Sequence, residues 1–418
     1  MKRCVKLPYP SLHRGPDPLY FRASARGFML PSRSLRTALL AAALVWFPAS
    51  AGPTQLIQSI PAETPLAHPD LAMARDAWIA VIRGARSQLD FAEYYIAQAE
   101  HGALEPVLQE LERAGARGVK IRFILCAGRM LAQDPAAVAR LRAIPNLQLR
   151  IFDLKGISPG ILHAKYFLAD RREAVLGSQN FDWRALEHIH ELGLRTTDPA
   201  LVDRLQEVFE VDWKFSLDQS RPPAARPVPA ALGPAELVAS PGFLSPGTVR
   251  PALDALVELI GQARTRVQIQ VLTFSPVGRN GYWPPIDQAL RAAAVRGVKV
   301  QLLVSDWMFK NRGLAHLKSL ALIPGIEVRY AAIPEASTGH IPFARTIHSK
   351  YMVVDGDTLW LGTSNWEEDY FASSRNVEAI LRQPLLAGQA GELFNRLWSS
   401  AYAHELEPMT TYTPRKVD

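Results

Sequence analysis

The order of hydrophobic and polar positions repeats along the chain. "ARGVKIRFIL" at 116–125 returns as "VRGVKVQLLV" at 295–304, and each follows an amphipathic helical pattern. Apolar strand patterns near 88–96 and 266–274 precede those helices. Because strands alternate with helices, the pattern predicts α/β halves with largely parallel sheets. The repetition favours an internal duplication over two unrelated domains.

The repeat divides the chain into two halves joined by a linker. We predict a first half at 55–219 and a second half at 236–406, followed by a C-terminal tail at 407–418. Residues 220–235 are rich in proline and alanine and lack helical or strand periodicity, which predicts an extended linker. A chain of 418 residues, 48% of them hydrophobic, can bury a core in each half.

The formal net charge of +7 comes from the N-terminal segment alone. Residues 1–51 contain eight basic residues and one acidic residue. The remaining chain holds 39 basic and 39 acidic residues. Global charge therefore gives no argument for a nucleic-acid or membrane partner.

Residues 1–51 have the pattern of an export signal. Two arginines precede an apolar run at 37–47, and Ala-Ser-Ala at 49–51 follows as a cleavage site. The pattern fits best with a start at Met29, so residues 1–28 are either a long charged region or precede the true start. We predict cleavage and a periplasmic or secreted protein without a stable membrane anchor; a retained N-terminal anchor is the alternative. Cleavage leaves one cysteine, Cys126, which excludes an intrachain disulfide.

Both halves carry the same set of polar residues in the same frame. The first set consists of His163, Lys165, Asp170, Gly177, Ser178 and Asn180. The second set, with each member 185 positions further on, consists of His348, Lys350, Asp355, Gly362, Thr363 and Asn365. A single His-x-Lys is typical of an exposed strand face, whereas two copies in one frame predict a catalytic site.

Spacing predicts that each set lies on one hairpin. A histidine and a lysine two positions apart on a strand project from one face. A two-residue loop at 356–357 would place His348 opposite Asn365 and Lys350 opposite Thr363. Moving the loop back by one residue slides each pairing by two positions and keeps the same face. We therefore expect imidazole, ammonium, hydroxyl and amide groups on one patch.

The residue types predict phosphodiester chemistry. Lysine and asparagine donate hydrogen bonds suited to phosphate oxygens, which makes Lys165, Lys350, Asn180 and Asn365 the candidate phosphate ligands. One neutral and one protonated histidine could attack a phosphodiester and protonate its leaving group. The sequence has no acidic cluster with metal-ligand spacing, so we predict that no metal or other cofactor is required.

Other polar and aromatic residues are assigned supporting or alternative roles. Asp170 and Asp355 fall at the hairpin turns, which favours turn stabilisation over chemistry. Trp183 and Trp366 either line a substrate cleft or pack in the core. The aromatic residues that could offer stacking faces to unpaired bases are Tyr94, Tyr95, Trp307 and Trp366.

The repeated motifs and the sequence around them resemble a known superfamily. The repeated His-x-Lys-(x)4-Asp with the following Gly-[Ser/Thr]-x-Asn is similar to the signature of the phospholipase D superfamily. "LHAKYFLADRREAVLGSQNFDW" and "IHSKYMVVDGDTLWLGTSNW" resemble its branch of lysosomal single-strand 5′ exonucleases and poxvirus envelope relatives. The resemblance spans roughly 55–405. It implies two duplicated α/β sandwich halves with pseudo-twofold symmetry that form one active site.

The resemblance also implies roles for individual residues. It makes His163 the nucleophile that becomes a phosphohistidine, and His348 the acid and later the base. It matches the acidic partner of each catalytic histidine to Glu191 and Glu378, with Ser178 and Thr363 as supporting hydroxyls.

Three functions remain open at the level of sequence. An exported, metal-independent phosphodiesterase acting on single-stranded nucleic acid 5′ ends is favoured by the resemblance. A phospholipase D or transphosphatidylase acting on phospholipid headgroups would use the same groups. A catalytically inert binding protein of the same fold is the third, and the two intact motifs argue against it. A homodimer is left open.

Overall fold

The computed structural model describes residues 53–220 and 233–418. The predicted leader and most of the predicted linker lie outside these residues, so both stay predictions. Among the described helices, none has the length and apolar character that a bilayer span requires.

The first half alternates strands and helices from Thr54 to Asp218. Its strands are β1 (Thr54–Ser59), β2 (Ala72–Met73), β3 (Gln88–Glu93), β4 (Ile96–Ala97), β5 (Lys120–Cys126), β6 (Leu147–Phe152), β7 (Lys165–Ala169), β8 (Glu173–Gly177), β9 (Phe181–Asp182) and β10 (Glu191–Thr196). Its helices are α1 (Ala74–Gly84), α2 (Glu105–Ala116), α3 (Pro135–Ala143), α4 (Trp183–Glu187) and α5 (Pro199–Asp218). Helices α3 and α5 begin with proline after an aspartate whose carboxylate accepts a hydrogen bond from the first turn, so their starts are set locally.

The second half repeats this order, inserts a short hairpin at residues 277–282 before its second helix and adds one strand at its end. Its strands are β11 (Ala235–Ser240), β12 (Arg250–Pro251), β13 (Arg266–Gln270), β14 (Phe274–Ser275), β15 (Val277–Gly278), β16 (Gly281–Tyr282), β17 (Lys299–Ser305), β18 (Ile326–Ala331), β19 (Lys350–Val354), β20 (Thr358–Gly362), β21 (Trp366–Glu367), β22 (Asn376–Leu381) and β23 (Ala403–Glu405). Its helices are α6 (Ala252–Gln262), α7 (Pro285–Val295), α8 (Leu314–Ala321), α9 (Glu368–Ala372) and α10 (Pro384–Trp398).

Each half builds one large mixed sheet. The strand order is β2-β1-β10-β8-β7-β3-β5-β6 in the first half and β12-β11-β22-β20-β19-β13-β17-β18-β23 in the second. The duplicated α/β architecture is therefore confirmed. The expectation of largely parallel sheets is wrong. In these two sheets only β3-β5-β6, β13-β17-β18 and the short edge strands β2 and β12 pair in parallel, whereas β23, the motif hairpins and their neighbours are antiparallel. The periodicity of the chain did not reveal this, since a hairpin strand buried on both faces is as apolar as a parallel one.

The hairpin that carries Lys350 has a three-residue connection at 355–357. Strands β19 and β20 pair Lys350 with Gly362, and β7 and β8 have the equivalent register. The predicted pairing of Lys350 with Thr363 is therefore wrong by one residue. Because a shift of one residue reverses the face of every side chain, Thr363 does not share the face of Lys350.

The aspartate that begins each three-residue connection binds the start of the neighbouring strand. The Asp170 carboxylate accepts hydrogen bonds from the backbone N–H groups of residues 86–88, and the Asp355 carboxylate accepts them from residues 264–266. Both aspartates have left-handed backbone angles, with φ of 53° and 52°. These contacts support a structural role at the turns, at the end of the hairpin away from the His-x-Lys residues.

One hydrophobic core is shared by the two halves. It contains buried side chains of β7, β8 and α5 from the first half and of β19, β20, β22 and α10 from the second. Two parallel bridges cross between the halves, Leu162 with Arg375 and His190 with Ile347. The members of these bridges are again related by 185 positions, so the pseudo-twofold relation extends into the contact between the halves.

The C-terminal tail packs on the second half. Tyr412 stacks on Phe309 with ring centroids 4.4 Å apart, and Arg415 donates hydrogen bonds to the carbonyls of Ile333 and Arg345. The latter contact holds the segment that leads to His348.

Candidate active site

Each histidine of the repeated motif lies just before the strand that its lysine begins. Lys165 and Lys350 are the first residues of β7 and β19, and both ammonium groups donate to the backbone carbonyl of the histidine two positions earlier. The predicted pairing of His348 with Asn365 across the hairpin is therefore wrong as well. The Lys165 contact is 2.6 Å. Each lysine thus holds the backbone of its own histidine.

The imidazole of His348 is held by residues of the first half. Its Nδ1 lies 2.8 Å from Oε1 of Glu191, at the start of β10. The hydroxyl of Ser178 donates to the carbonyl of Leu192, the residue after Glu191. Both halves are therefore needed to orient this one side chain.

The imidazole of His163 is held by residues of the second half. Its Nδ1 lies 3.0 Å from Oδ1 of Asn376, at the start of β22. The Thr363 hydroxyl donates to the same Oδ1 at 2.9 Å. Asn376 occupies the position of Glu191 in the repeat, so equivalent positions hold the two histidines with chemically different groups.

The prediction that Glu378 is the second acidic partner of a catalytic histidine is wrong, because Glu378 does not occupy the position equivalent to Glu191 in the repeat. Glu378 lies 185 positions after Gly193, and its carboxylate accepts a hydrogen bond from Ser364 rather than from either imidazole. Its side chain lies over Gly362, where an added Cβ would come within 2.2 Å of it; Gln179 fills the equivalent space in the first half. Burial raises the pKa of Glu378 to about 8. The Asn-x-Glu pattern led to the wrong residue, because its asparagine, Asn376, contacts His163 and its glutamate does not.

Burial dominates the electrostatics of the centre. It lowers the pKa of Lys165 to about 7 and the pKa of Lys350 well below its usual value. It also lowers the pKa of His163 and of His348, and both lysines lower these further. Burial raises the pKa of Glu191 to about 8, against the effect of Lys350. An anionic phosphodiester would relieve this crowding of positive charge.

The two predicted asparagines are buried. Asn180 is 6% exposed and Asn365 is 3% exposed, and the Oδ1 atom of each has no hydrogen-bond partner among the described residues.

Aromatic rings flank only one of the two histidines among the described residues. The ring of His163 lies 5.0 Å from that of Tyr94 and 4.8 Å from that of Tyr370. The position equivalent to Tyr94 is Leu272 when β3 is aligned with β13, and the position equivalent to Tyr370 is Ala185, which lies 185 positions earlier. Tyr370 was missed by sequence reasoning because it lies outside the repeated set.

One of the predicted stacking residues cannot reach a substrate, because Trp366 is fully buried. Tyr95 is partly buried and donates its hydroxyl to Asp182 at 2.7 Å. Trp183 packs edge-on against His188, whereas Trp307 is half-buried. Alternating apolar positions did not distinguish these aromatics from exposed ones, because the short strands are buried on both faces.

A buried carboxyl group near Lys165 was also missed. Glu93 pairs with Lys165 across β3 and β7 and is 1% exposed, and its Oε2 has no partner within the described residues. Burial raises its pKa well above the usual value, and Lys165 opposes the shift. The equivalent position in the second half is Val271, so repetition gave no signal for it.

The described residues contain no group of three or more histidine, cysteine, aspartate or glutamate side chains placed to hold a metal ion. The groups that could stabilise a phosphoryl anion here are the two lysines and the two asparagines.

The fold and the site together define a duplicated α/β protein with one centre, built from two histidines and two lysines, between its halves. A family model described as "Cardiolipin synthase, PLD-like domain" matches residues 78–213 and again 256–398. The chain therefore belongs to the phospholipase D-like family, and the resemblance seen in the sequence is confirmed.

Curated relatives match over most of the chain. The 5′-3′ exonuclease PLD3 of Bos taurus is 31% identical over 400 residues, covering 84% of this chain and 80% of the relative. Phospholipase D Z of Dictyostelium discoideum is 30% identical over 398 residues, covering 86% of this chain and 92% of the relative. The chain is accordingly a hydrolytic phosphodiesterase of the phospholipase D superfamily.

A solved structure shows the same fold. The phosphatidylserine synthase of Haemophilus influenzae superposes with a TM-score of 0.58 at 13% identity, covering 80% of this chain and 85% of that one. At this identity the likeness concerns the fold alone.

Proposed function

We propose that this protein is an exported, metal-independent phosphodiesterase that cleaves single-stranded nucleic acid from its 5′ end. The observation that carries the catalytic part is the exchange of partners between halves: Glu191 of the first half holds His348, and Asn376 of the second half holds His163. This exchange brings two imidazoles and two ammonium groups to one centre. A single copy of the motif would leave each imidazole without its support.

The chemistry proceeds in two steps through a phosphohistidine. Lys165, Lys350, Asn180 and Asn365 bind the nonbridging phosphate oxygens. Nε2 of His163 attacks phosphorus, forming a P–N bond while the P–O bond to the leaving group breaks. The leaving oxygen takes the proton from Nε2 of the second histidine, which restores a neutral hydroxyl group.

Hydrolysis of the intermediate reverses these roles. The second histidine, His348, now neutral at Nε2, accepts a proton from water as its oxygen attacks phosphorus. The P–N bond to His163 breaks and the phosphate monoester leaves. Both imidazoles return to their starting protonation states, so the enzyme neither gains nor loses a proton over one cycle.

The substrate class is supported by the names of the relatives. PLD3 relatives from several mammals, 30–31% identical to this chain, are named 5′-3′ exonucleases. Phospholipids are the second candidate, because the relative from Dictyostelium discoideum, 92% of which the chain covers, is named phospholipase D Z. Export rests on the leader pattern, and metal independence rests on the lysines as sources of positive charge.

The decisive experiment compares the two substrates in parallel. Purified full-length protein with excess EDTA is incubated with 5′-hydroxyl single-stranded DNA labelled at its 3′ end, with the matching duplex, and with phosphatidylcholine vesicles. We expect single strands to shorten from the 5′ end and duplexes to resist. Choline release without DNA cleavage would select the lipid substrate, and inactivity on both would favour an inert binding protein.

Matched variants identify the centre responsible. His163→Asn should abolish cleavage, whereas His101→Asn, which alters an exposed histidine outside the site, should leave it unchanged. Equal activity in both variants would show that a contaminant or another site does the chemistry.

A further inference from the structure

The two repeated motifs supply the same imidazole, ammonium and amide groups, yet the residues that hold their imidazoles differ. His348 faces the carboxyl group of Glu191 at 2.8 Å, whereas His163 faces the amide of Asn376 at 3.0 Å. All four side chains are buried: the amide and the carboxyl group fully, and His348 and His163 with 9% and 4% of their surface exposed. The difference therefore acts in a medium where charge and hydrogen-bond direction matter strongly.

The neighbours of Asn376 determine which end of its amide faces His163. The Nδ2 group donates to the carbonyl of Tyr370 at 2.8 Å and lies 3.4 Å from the carbonyl of Ser374. Carbonyl oxygens only accept hydrogen bonds, so this end must be the NH2 group. The Oδ1 end, which accepts from the Thr363 hydroxyl, must then face the imidazole.

This orientation determines the tautomer of His163. Because Oδ1 only accepts, Nδ1 of His163 must carry the proton, and Nε2 then keeps its lone pair in the neutral ring. A second proton on Nε2 would leave a net positive charge beside Lys165 and Lys350 in a buried site, which is unfavourable. The amide thus favours the form of the ring that can attack phosphorus.

Glu191 has the opposite effect on His348. A carboxyl group and an imidazole that share one proton, with a second proton on Nε2, form a pair with no net charge. Burial lowers the pKa of an isolated His348 imidazole, but it penalises this neutral pair less than a lone imidazolium, in keeping with the raised pKa of Glu191. This pair can donate a proton to a leaving oxygen.

We propose that Asn376 is a positioning residue that holds His163 as a neutral imidazole with Nε2 free, and that the difference between Asn376 and Glu191 decides which histidine is the nucleophile. The proposal rests on the proposed phosphodiesterase function. According to this proposal, the residue at the start of β22 determines which histidine is the nucleophile, and the His-x-Lys motifs do not. In the reaction, Asn376 forms no bond to the substrate, and Nδ1–H of His163 stays hydrogen-bonded to it throughout.

The other groups that face His163 are common to the variants compared in the test. They are the ammonium groups of Lys165 and Lys350, the phenol rings of Tyr94 and Tyr370, and the backbone of Thr363. None is replaced when Asn376 is changed, so a shift in the pH dependence reports on the Asn376 position.

The test measures kcat/KM for bis(p-nitrophenyl) phosphate against pH in the full-length protein. In Asn376→Asp, a carboxylate beside His163 should raise its proton affinity and move the acidic limb of the profile upward by at least about one pH unit. In Asn376→Ala, the rate should fall at least about tenfold at every pH, with little change in KM. The matched control is Asn395→Asp, whose Oδ1 accepts from Gln268 away from the site, and it should keep the wild-type profile.

A spectroscopic measurement on the wild type does not depend on the folding of a variant. Nitrogen-15 shifts of labelled histidine, assigned by comparison with His163→Asn, should show His163 protonated at Nδ1 and bare at Nε2 near neutral pH. The opposite tautomer, or a wild-type profile in Asn376→Asp with full activity in Asn376→Ala, would overturn the proposal. Wild-type protein that cleaves no phosphodiester would instead overturn the proposed function, and a correct tautomer in that protein would separate the two failures.

Discussion

A fully buried ion pair between the halves offers a quantitative test of how the site is held. Nε of Arg375 lies 2.9 Å from Oδ1 of Asp212, and both side chains are fully buried. The guanidinium also donates to the carbonyls of Ser240 and Leu244. The backbone carbonyl of Arg375 accepts from the N–H of His163, so this pair lies directly behind the candidate nucleophile.

The change Arg375→Leu should strongly destabilise the fold. It leaves the Asp212 carboxyl buried without its partner, which typically costs about 3–5 kcal/mol. The two carbonyls also lose a charged donor, which adds about 1–3 kcal/mol for each group that stays buried and unsatisfied. The total is comparable to the free energy of unfolding of a typical protein, about 5–15 kcal/mol.

The loss of stability in Arg375→Leu should depend on pH, and the titration of Asp212 determines the direction of this dependence. Burial raises the pKa of Asp212 to about 6 even with Arg375 present to lower it, so removing Arg375 raises the pKa further. A carboxyl with a raised pKa in the folded state loses its stabilising contribution as the pH rises through that pKa. The variant should therefore be more destabilised at pH 8 than at pH 5.

Urea unfolding followed by tryptophan fluorescence at both pH values measures the effect. Arg279→Leu is the matched control, since Arg279 pairs with Asp369 at 2.7 Å with both side chains nearly half exposed, and it should cost less than about 1 kcal/mol. The double change Arg375→Leu with Asp212→Leu should recover part of the loss. Equal losses for the two arginine variants, or a loss independent of pH, would refute the reasoning.

The remaining predictions concern catalysis and maturation. His163→Asn should abolish turnover of every phosphodiester, whereas His348→Asn should slow DNA cleavage by about 10²–10⁴-fold and affect a p-nitrophenyl ester much less, because that leaving group needs no proton; equal losses on both substrates in initial-rate assays would argue against an acid role. The wild-type kcat/KM should fall from about pH 7 upward, as Lys165 and then the pair of Glu191 and His348 lose their protons, and should fall at acid pH only well below the usual histidine pKa, as His163 gains one; a profile that rises through pH 8 contradicts this. Activity should survive excess EDTA. If EDTA abolishes activity and added Mg²⁺ or Zn²⁺ restores it, the enzyme requires a metal. Secreted protein should begin at Gly52 by N-terminal sequencing, and a membrane-bound chain with its leader intact would contradict cleavage.

The outline of the fold followed from the chain alone because its information is local and repeated. Amphipathic helices, apolar strands and a motif that returns after 185 positions predicted two similar α/β halves, and the family resemblance implied one shared centre. Asp170 and Asp355 were assigned to turns from their position, and the structure places both carboxylates against the neighbouring strand. Register was the first failure, since a two-residue and a three-residue loop fit the sequence "DGD" equally well.

The pairing of groups across the site was beyond the sequence. Glu378 matched a familiar pattern, yet Asn376 makes the contact with His163, and Glu93 lies beside Lys165 without any counterpart in the repeat. Stacking candidates failed for a related reason. Trp366 sits in the same alternation as an exposed aromatic would, and only the packing of the sheet shows that it is fully buried.

The sequence by itself determined which groups this protein brings to its chemistry: two imidazoles, two ammonium groups and two amides in one repeated frame. The tertiary structure alone decided which of them touch, because each histidine is held by a strand of the opposite half, far away in the chain. Contacts of this kind depend on strand register and on the packing of one half against the other, which local patterns do not encode. The same packing also makes the two motifs unequal, since it places a carboxyl group beside one imidazole and an amide beside the other.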